Sequence, residues 1–235
     1  MKNKLTEPLK LTDLTLNPLL KGLLLVDKPT RKTSFSLVSA LRKKTGVQKI
    51  GHTGTLDPFA TGLMILLIGK EFTTLSDQLL AQEKEYEATL TLGVSTDSYD
   101  RDGAVTSLSD VIPSLERVQE MLLQFQGTIQ QTPPMFSAKK VQGKRLYRLA
   151  RQGIEIKRPA SFVTVKTVFL EYNYPHLSLH ITCSKGTYIR SIAHDLGQLL
   201  GCGAHLLELR RLRCGEFHII DSVRGELLYP PGSFE

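Results

Sequence analysis

Residues 51–68 read GHTGTLDPFATGLMILLI and place a single carboxylate, that of Asp57, in a loop flanked by glycines. Pro58 disfavours helical geometry at Asp57, and the glycines allow the backbone to turn and to approach a ligand closely. The apolar run at residues 63–68 is typical of a buried strand. An Asp in a loop beside a rigid strand suits a nucleophile or general base, although an Asp that only caps a turn fits the same pattern.

The composition limits the classes of protein to consider. Of the 235 residues, 41% are hydrophobic and 23% are charged, which is typical of a globular protein. No apolar run approaches the roughly 20 residues that span a bilayer. The leucine-rich start carries charges and lacks a small-residue cleavage site, so we expect no signal peptide. The 3 cysteines are sparse and odd in number, which favours a reducing, cytoplasmic location.

The positive charge is concentrated in one part of the chain, residues 130–158, which we call the basic segment. The whole chain has a net charge of +7, and the basic segment combines eight basic residues with one acid, Glu155. The eight are Lys139, Lys140, Lys144, Arg145, Arg148, Arg151, Lys157 and Arg158. A solvated surface is one explanation, but charge this concentrated favours nucleic acid as partner. Because the segment has only a short apolar ridge, we predict a hairpin or helical thumb.

The remaining pattern predicts an α+β fold. Thr33 or Ser34 is expected to cap a helix that ends at Gly46. Strict alternation from Tyr86 to Leu92 predicts a strand that buries Tyr86 on its inner face. Strands and helices interleave without a regular βαβ rhythm, so we expect a mixed, largely antiparallel sheet flanked by helices, with the basic thumb as an insertion.

Arg190 stands near the start of another predicted helix. Thr187 is expected to be the N-cap, and Gly201 ends the helix. Arg190 would then be the third helical residue, where a cation opposes the helix dipole. Such a cation is explained if an anion lies opposite, either Asp57 or a phosphate; a solvent-exposed Arg is the alternative.

Five stretches of the chain, in order, resemble the motifs of the TruB family of tRNA pseudouridine-55 synthases. One of them, GHTGTLDPFATGL, contains Asp57, and another, GLLLVDKPTRKTS, precedes it in the sequence. The five are residues 22–34, 51–63, 133–153, 184–191, and 201–205 with 209–212. The resemblance covers roughly Gly22 to Phe217 and implies the pseudouridine synthase fold.

The resemblance also implies the reaction. Uridine-55 in the TΨC arm of tRNA is converted to pseudouridine by breaking the N-glycosidic bond and joining the sugar to a ring carbon. This isomerisation has no redox step and no external group donor, so we expect neither cofactor nor metal. Asp57 corresponds to the catalytic aspartate and attacks either the ribose anomeric carbon or the pyrimidine ring. An attacking carboxylate must be ionised, so it needs a cation or hydrogen-bond donors nearby.

Further site residues follow from the same resemblance. Arg190 is expected to pair with Asp57, and Tyr86 to pack against the target base, where its hydroxyl assists proton transfer. His52 is expected to take part in recognising the RNA once the uridine is flipped out. The remaining expected substrate contacts are Asp100, Tyr188 and Leu209, together with Lys139, Lys140, Lys144 and Arg145 of the basic segment.

The expected organisation is one catalytic domain. Residues 1–21 form an N-terminal extension, residues 22–217 the catalytic domain with its thumb at about 130–158, and residues 218–235 a short tail. The tail is too short for the PUA domain that many relatives carry. We expect the tRNA T-arm as partner, no obligate protein partner, no membrane and a monomer. Binding would then depend on the thumb and the catalytic cleft, with steep salt dependence.

The sequence departs from the family pattern at Arg31, and two other classes of function are alternatives to the pseudouridine synthase. Arg31 stands where the family usually has Gly, so we expect the turn after Pro29 to be built differently. A non-catalytic RNA-binding or tRNA-folding protein on the same scaffold is the main alternative. A hydrolase that uses Asp57 and Asp100 as an acid/base pair is a third possibility, with little support from their spacing.

Overall fold

The computed structural model of the chain describes residues 7–141, 143–230 and 232–233. The chain divides into two compact units. The first contains Met1–Tyr86 and Arg210–Glu235, and the second contains Glu87–Leu209. Within the described residues, no helix has both the length and the apolar character that crossing a membrane requires.

The described residues form fourteen strands and six α-helices. The strands are β1 (Gly22–Lys28), β2 (Ile50–Thr53), β3 (Thr61–Ile68), β4 (Lys84–Leu92), β5 (Val94–Thr96), β6 (Val105–Leu108), β7 (Gln126–Gln131), β8 (Lys140–Val141), β9 (Lys144–Arg145), β10 (Ser161–Asn173), β11 (His176–Cys183), β12 (Ala204–Cys214), β13 (Phe217–His218) and β14 (Val223–Arg224). The α-helices are α1 (Ser34–Thr45), α2 (Lys70–Thr73), α3 (Ser76–Leu80), α4 (Leu115–Leu122), α5 (Leu146–Ala150) and α6 (Ile189–Leu200). Short 3₁₀ turns lie at Leu11–Asp13, Leu123–Phe125, Ile219–Asp221 and Gly225–Leu228.

The first unit is built around β3. β1 is antiparallel to β3 along its whole length, and β14 runs parallel to the other edge of β1. On its second edge β3 has two partners: β2 is antiparallel to residues 65–68, and β12 is parallel at residues 61–62. Residues 63 and 64 lie in the interval between these two partners, at the level of the loop that joins β2 to β3.

The core of the first unit explains why β1 and β3 read as continuous apolar runs. One cluster contains Leu23, Leu25, Leu63, Ile65, Leu67, Leu79, Cys214 and Phe217. The alternate residues of both strands are also buried, so each strand is covered on both faces.

Thr33 caps α1, because its side chain accepts a hydrogen bond from the Ser36 amide, and Gly46 ends the helix in a left-handed conformation with φ 77°.

The described part of the N-terminal extension lies against this unit. The amide of Leu9 donates to the carbonyl of Leu23 on β1 at 2.7 Å, and the amide of Asn17 donates to the carbonyl of Thr45 at the end of α1 at 2.9 Å. The side chain of Leu14 is buried. The extension therefore adds backbone hydrogen bonds to β1 and α1.

In the second unit the strand order is β12, β4, β11, β10 and β7. β10 is antiparallel to both β11 and β7, with a bulge between Phe169 and Glu171. Two small hairpins, β5–β6 and β8–β9, lie outside this sheet. The predicted α+β fold with a mixed, largely antiparallel sheet is confirmed, as are the helix capped by Thr33 and the buried alternation that begins at Tyr86.

The predicted start of α6 is wrong by one residue. The helix begins at Ile189, and its N-cap is Tyr188, which makes no capping hydrogen bond through its side chain. The hydroxyl of Thr187 instead donates to the carbonyl of Ser184 at 2.9 Å, so it stabilises the preceding turn. Arg190 is therefore the second helical residue, still within the first turn.

Gly197 in α6 permits a close approach to the chain that enters β12. A Cβ at this position would overlap the backbone nitrogen of Ala204 and the carbonyl carbon of Gly203. In an open helix, alanine is favoured over glycine by about 1 kcal/mol. Because the overlap is with backbone atoms, we expect Gly197→Ala instead to destabilise the protein by about 3 kcal/mol, measured by urea unfolding.

Gly201→Ala is the control for this prediction. Residue 201 has φ 75°, but no heavy atom lies within 4 Å of the position that a Cβ would take there. The cost is then only that of a left-handed alanine, about 1 kcal/mol. A Gly197→Ala protein at least as stable as the wild type would contradict the prediction.

Candidate active site

The loop of residues 54–60, here the Asp57 loop, joins β2 to β3 in the first unit. Its carbonyl groups are held by donors from other parts of that unit. Gly54 accepts from Arg211 Nη2 at 3.1 Å, Leu56 from Ser34 Oγ at 3.0 Å, Pro58 from the Arg31 amide at 2.8 Å and from Lys28 Nζ at 3.2 Å, and Phe59 from Thr30 Oγ1 at 3.2 Å. The side chain of Asp57 is half-buried in this fixed loop.

Lys28, the last residue of β1, is a fully buried cation beside the Asp57 loop. Its ammonium donates to the carbonyls of Pro29 at 2.9 Å, Lys32 at 2.6 Å and Pro58 at 3.2 Å. Burial lowers the pKa of Lys28 to about 8, the charge of Asp57 opposes that fall, and Arg211 adds to it. Lys28 and Asp57 therefore lie close enough to interact as charges.

Arg211 on β12 is a second buried cation at the same loop, with 2% of its surface exposed. Its Nε donates to the carbonyl of Leu63 at 2.6 Å, and its Nη2 donates to the carbonyl of Gly54. Sequence reasoning missed both Lys28 and Arg211, because cations are usually on the surface. For Arg211 a signal existed: it shares the inward phase of its strand with Leu209.

The turn after Pro29 places Arg31 in a left-handed conformation. Its φ is 61°, a region that favours glycine over residues with a side chain. Its amide donates to the carbonyl of Pro58, so the turn keeps its contact with the Asp57 loop. The hydrogen bond compensates for part of the strain of a left-handed arginine.

His52 and Tyr86 also belong to the first unit. His52 lies on β2, half-buried, opposite Leu66 of β3. Burial, and then the charge of Arg211, lowers the pKa of His52, so its imidazole is neutral at pH 7. Tyr86 lies on β4 with 7% of its surface exposed, in the inward phase that the alternation predicts.

In the second unit, Arg190 and Asp100 form a buried ion pair. Arg190 Nη1 lies 3.2 Å from Asp100 Oδ2, and both side chains are less than a tenth exposed. Arg190 also donates to the carbonyl of Ser98 at 3.1 Å and to that of Phe136 at 2.8 Å. Asp100 accepts from Ser98 Oγ at 2.6 Å. Arg190 thus joins the loop of Asp100 to the start of the basic segment.

The start of the basic segment is fastened to the N-terminus of α6. The side chain of Gln131 donates to the carbonyl of Tyr188 at 3.1 Å and accepts from its amide at 2.8 Å. The hydroxyl of Ser191 donates to the carbonyl of Thr132 at 2.9 Å. The half-buried ring of Tyr188 is thereby fixed through its backbone.

Beyond this base, the basic segment consists of the β8–β9 hairpin and α5, which are the two kinds of element that the sequence suggested for it. Lys140 pairs directly with Arg145 across the hairpin. Like charges in directly opposite positions destabilise a hairpin. Lys140, Lys144 and Arg145 are exposed, Lys139 is half-buried, and the one acid, Glu155, lies 3.3 Å from Arg158. An anion bound beside this pair would reduce the repulsion between Lys140 and Arg145.

Next to Asp100, the ring of Tyr99 stacks on that of His194, with centroids 3.8 Å apart and planes 12° from parallel. Tyr99 has a left-handed φ of 64°, so the stack holds a strained residue in place. His194 and Arg190 are one turn apart on α6, and they contact adjacent residues of the same loop. Leu209 of β12 is buried in this unit.

Comparison with family models identifies the protein family to which these sequence motifs belong. Residues 42–189 match the model described as TruB family pseudouridylate synthase (N terminal domain). Residues 190–229 match the model of the tRNA pseudouridylate synthase B C-terminal domain. The chain belongs to the TruB family.

Other members of the TruB family are similar over most of this chain. It is 60% identical over 211 residues to tRNA pseudouridine synthase B of Chlamydia pneumoniae, covering 90% of each chain. It is 56% identical over 216 residues to tRNA pseudouridine synthase B of Protochlamydia amoebophila, covering 92% of this chain and 82% of the relative. In a crystal structure of a Cbf5-Nop10-Gar1 complex, one chain is 29% identical with a TM-score of 0.64; the match covers 83% of this chain but only 49% of that one.

The buried pair of Arg190 and Asp100 yields a stability prediction. Asp100→Asn removes the charge from hydrogen bonds that are shielded from water, so we expect a loss of about 2 kcal/mol in the free energy of unfolding. Glu120→Gln is the control, because its pair with Arg117 is exposed and should contribute less than about 0.5 kcal/mol. Equal losses in the two variants, measured by urea unfolding, would contradict the prediction.

Asp195 on α6 yields a pH prediction. Burial raises its pKa to about 6. The folded state then holds this proton more tightly than the unfolded state, so stability falls as pH rises from about 4 to 6. We expect Asp195→Asn to be more stable than the wild type by about 1 kcal/mol above pH 7, since part of the carboxyl still reaches solvent.

The difference should disappear near pH 4, where the wild-type carboxyl is protonated in the folded state. Urea unfolding at pH 4.5 and pH 7.5 would measure it, with the exposed Asp110→Asn as control. A gain of the same size at both pH values would contradict the role of Asp195.

Proposed function

We propose that this chain converts the uridine at position 55 of tRNA, in the TΨC arm, to pseudouridine, with Asp57 as the nucleophile. Membership of the TruB family makes it a pseudouridine synthase, an isomerase. The observation that supports the role of Asp57 most directly is its setting: a half-buried carboxylate on a loop whose carbonyls are fixed, beside the buried cation Lys28.

This setting suits an attacking carboxylate. A nearby positive charge favours the ionised form, which is the nucleophilic one. Attack at the anomeric carbon or at the pyrimidine ring leads to breakage of the N-glycosidic bond. The freed base then turns, ring carbon 5 bonds to the sugar, the bond between Asp57 and the substrate breaks, and the proton lost from carbon 5 is balanced by one taken up at ring nitrogen 1. Because the carboxylate of Asp57 is regenerated, the reaction balances without a co-reactant.

Tyr86 and His52 are proposed to contact the nucleotide in different ways. Tyr86 packs against the target base and its hydroxyl assists the proton transfer. His52 recognises the RNA after the uridine leaves its stack, a step that costs a few kcal/mol. Its lowered pKa supports this role, because a neutral imidazole offers both a donor and an acceptor to RNA.

The second unit is proposed to hold the RNA. Asp100 fixes the guanidinium of Arg190 through their buried ion pair, and Tyr188 and Leu209 line the place of the base. The exposed cations of the basic segment contact the phosphate backbone. The like-charged pair of Lys140 and Arg145 supports this, since a polyanion removes its repulsion.

The test is release of tritium from tRNA labelled at carbon 5 of uridine. We expect the wild type to release tritium, Asp57→Ala to be at least about 10³-fold slower with unchanged tRNA affinity, and the exposed control Asp77→Ala to match the wild type. A tRNA that carries cytidine at position 55 should release none.

Each contrary result has a distinct meaning. Turnover by Asp57→Ala would overturn the nucleophile. Release from the tRNA with cytidine at position 55 would overturn the proposed position. If the wild type binds tRNA without releasing tritium, the chain is a non-catalytic RNA-binding protein on this scaffold, and the proposed reaction is wrong.

A further inference from the structure

Arg211 differs from the arginines beside it on β12. Arg210 pairs with Asp27 at 2.7 Å, and Arg213 pairs with Glu83 and Glu85 at 2.6 Å. Arg211 takes part in none of the ion pairs found among the described residues. Its guanidinium donates to two carbonyls and lies 2.9 Å from the sulfur of Met64 through Nη2. A buried arginine that is committed to backbone carbonyls holds chain segments together.

The segments it holds are the two ends of the Asp57 loop. Leu63 lies just after the loop, in the interval of β3 that is paired with neither β2 nor β12. Gly54 is the first residue of the loop. The forked guanidinium therefore takes the place of a missing strand partner and bridges the loop across its base, three residues before Asp57.

The backbone conformation of Gly54 and its lack of a side chain suit this contact. It has a left-handed φ of 67°, and a Cβ there would lie 3.2 Å from Arg211 Nη1. The glycine thus allows the turn and also leaves room for the guanidinium. A second close approach lies at Gly62, where a Cβ would overlap the backbone of Arg211. Both contacts place β12 against the start and the end of the loop.

The charge of Arg211 also reaches the site. It lowers the pKa of both Lys28 and His52, so all three side chains share one electrostatic environment, in which Asp57 acts on Lys28 in the opposite direction. Two buried cations repel each other, and an anion between them relieves that repulsion. An arginine at this position therefore favours an ionised carboxylate as well as a fixed loop.

We propose that Arg211 is a positioning residue for Asp57: its fork sets the base of the Asp57 loop, and it acts on the reaction only through that loop. The inference rests on the proposed role of Asp57 as nucleophile. Arg211 itself is enclosed by protein and does not touch RNA. Its loss should therefore lower kcat and leave KM and tRNA affinity unchanged.

The test compares Arg211→Lys with Arg213→Lys. Lysine keeps the charge but cannot reach two carbonyls in a fork, so the exchange is not conservative at Arg211. We expect kcat for tritium release to fall about 10- to 100-fold in Arg211→Lys, with KM within threefold of the wild type, because small misplacement of a reacting group is costly. Arg213→Lys, whose pairs are partly exposed, should keep wild-type kcat.

Met64→Leu provides a second variant in case Arg211→Lys does not fold. It conserves volume, so its thermal midpoint should stay near that of the wild type, but it removes the sulfur that Nη2 contacts. Losing one such contact should lower kcat about threefold with unchanged KM. If Arg211→Lys is unfolded, the kcat of Met64→Leu tests the role of Arg211. A threefold fall supports that role, and an unchanged kcat overturns it.

The outcomes separate this inference from the proposed function. Loss of turnover in Asp57→Ala alone supports the nucleophile. If Asp57→Ala is inactive while folded Arg211→Lys keeps wild-type kcat, or loses only tRNA affinity, the role of Arg211 is overturned and that of Asp57 stands. If Asp57→Ala is active, the proposed function fails first, whatever Arg211→Lys does.

Discussion

The carbonyl oxygens of the Asp57 loop are the constraint on which the first unit depends. Such a loop, if held only by its side chains, would have to bury polar backbone without partners or leave it in water. Here the side chains of Arg211, Ser34, Lys28 and Thr30 donate to four carbonyls of the loop. The backbone of the loop is thus held by donors that lie outside the loop. Under the proposed function, a nucleophile on a loop held this way would lose little entropy during the reaction.

Holding the loop with buried cations costs desolvation free energy, and this cost explains why a carboxylate lies near them. Carbonyl dipoles satisfy the hydrogen atoms of Lys28 and Arg211 but do not neutralise their charge. The pKa of Lys28 is lowered because burial disfavours its charged form, and the negative charge of Asp57 opposes that effect. The cations and the carboxylate therefore stabilise one another: the loop orders the site, and the ionised carboxylate stabilises the loop.

The helices and strands could be predicted from the sequence, whereas the side chains that donate to the carbonyls of the Asp57 loop could not. The capped helix α1 and the alternation of β4 are local patterns, and both were predicted. Thr187 failed as a cap because its hydroxyl had a nearer acceptor at Ser184, a choice that local pattern does not encode. Lys28 and Arg211 were missed because cation burial depends on carbonyls contributed by distant segments. Arg31 shows the same limit: its left-handed turn depends on the carbonyl of Pro58, 27 positions later.

In the second unit, the base of the basic segment differs from the rest of the segment in how its polar groups are buried. At its base, Gln131, Ser191 and Arg190 make hydrogen bonds that are buried or half-buried, and salt weakens such contacts little. Beyond the base, the hairpin presents exposed cations that salt screens strongly. Under the proposed function, salt would weaken RNA contacts of the hairpin more than the hydrogen bonds of the base. Because Arg190 belongs to that base and also pairs with Asp100, the loop of Asp100 is held by contacts that do not depend on the exposed cations.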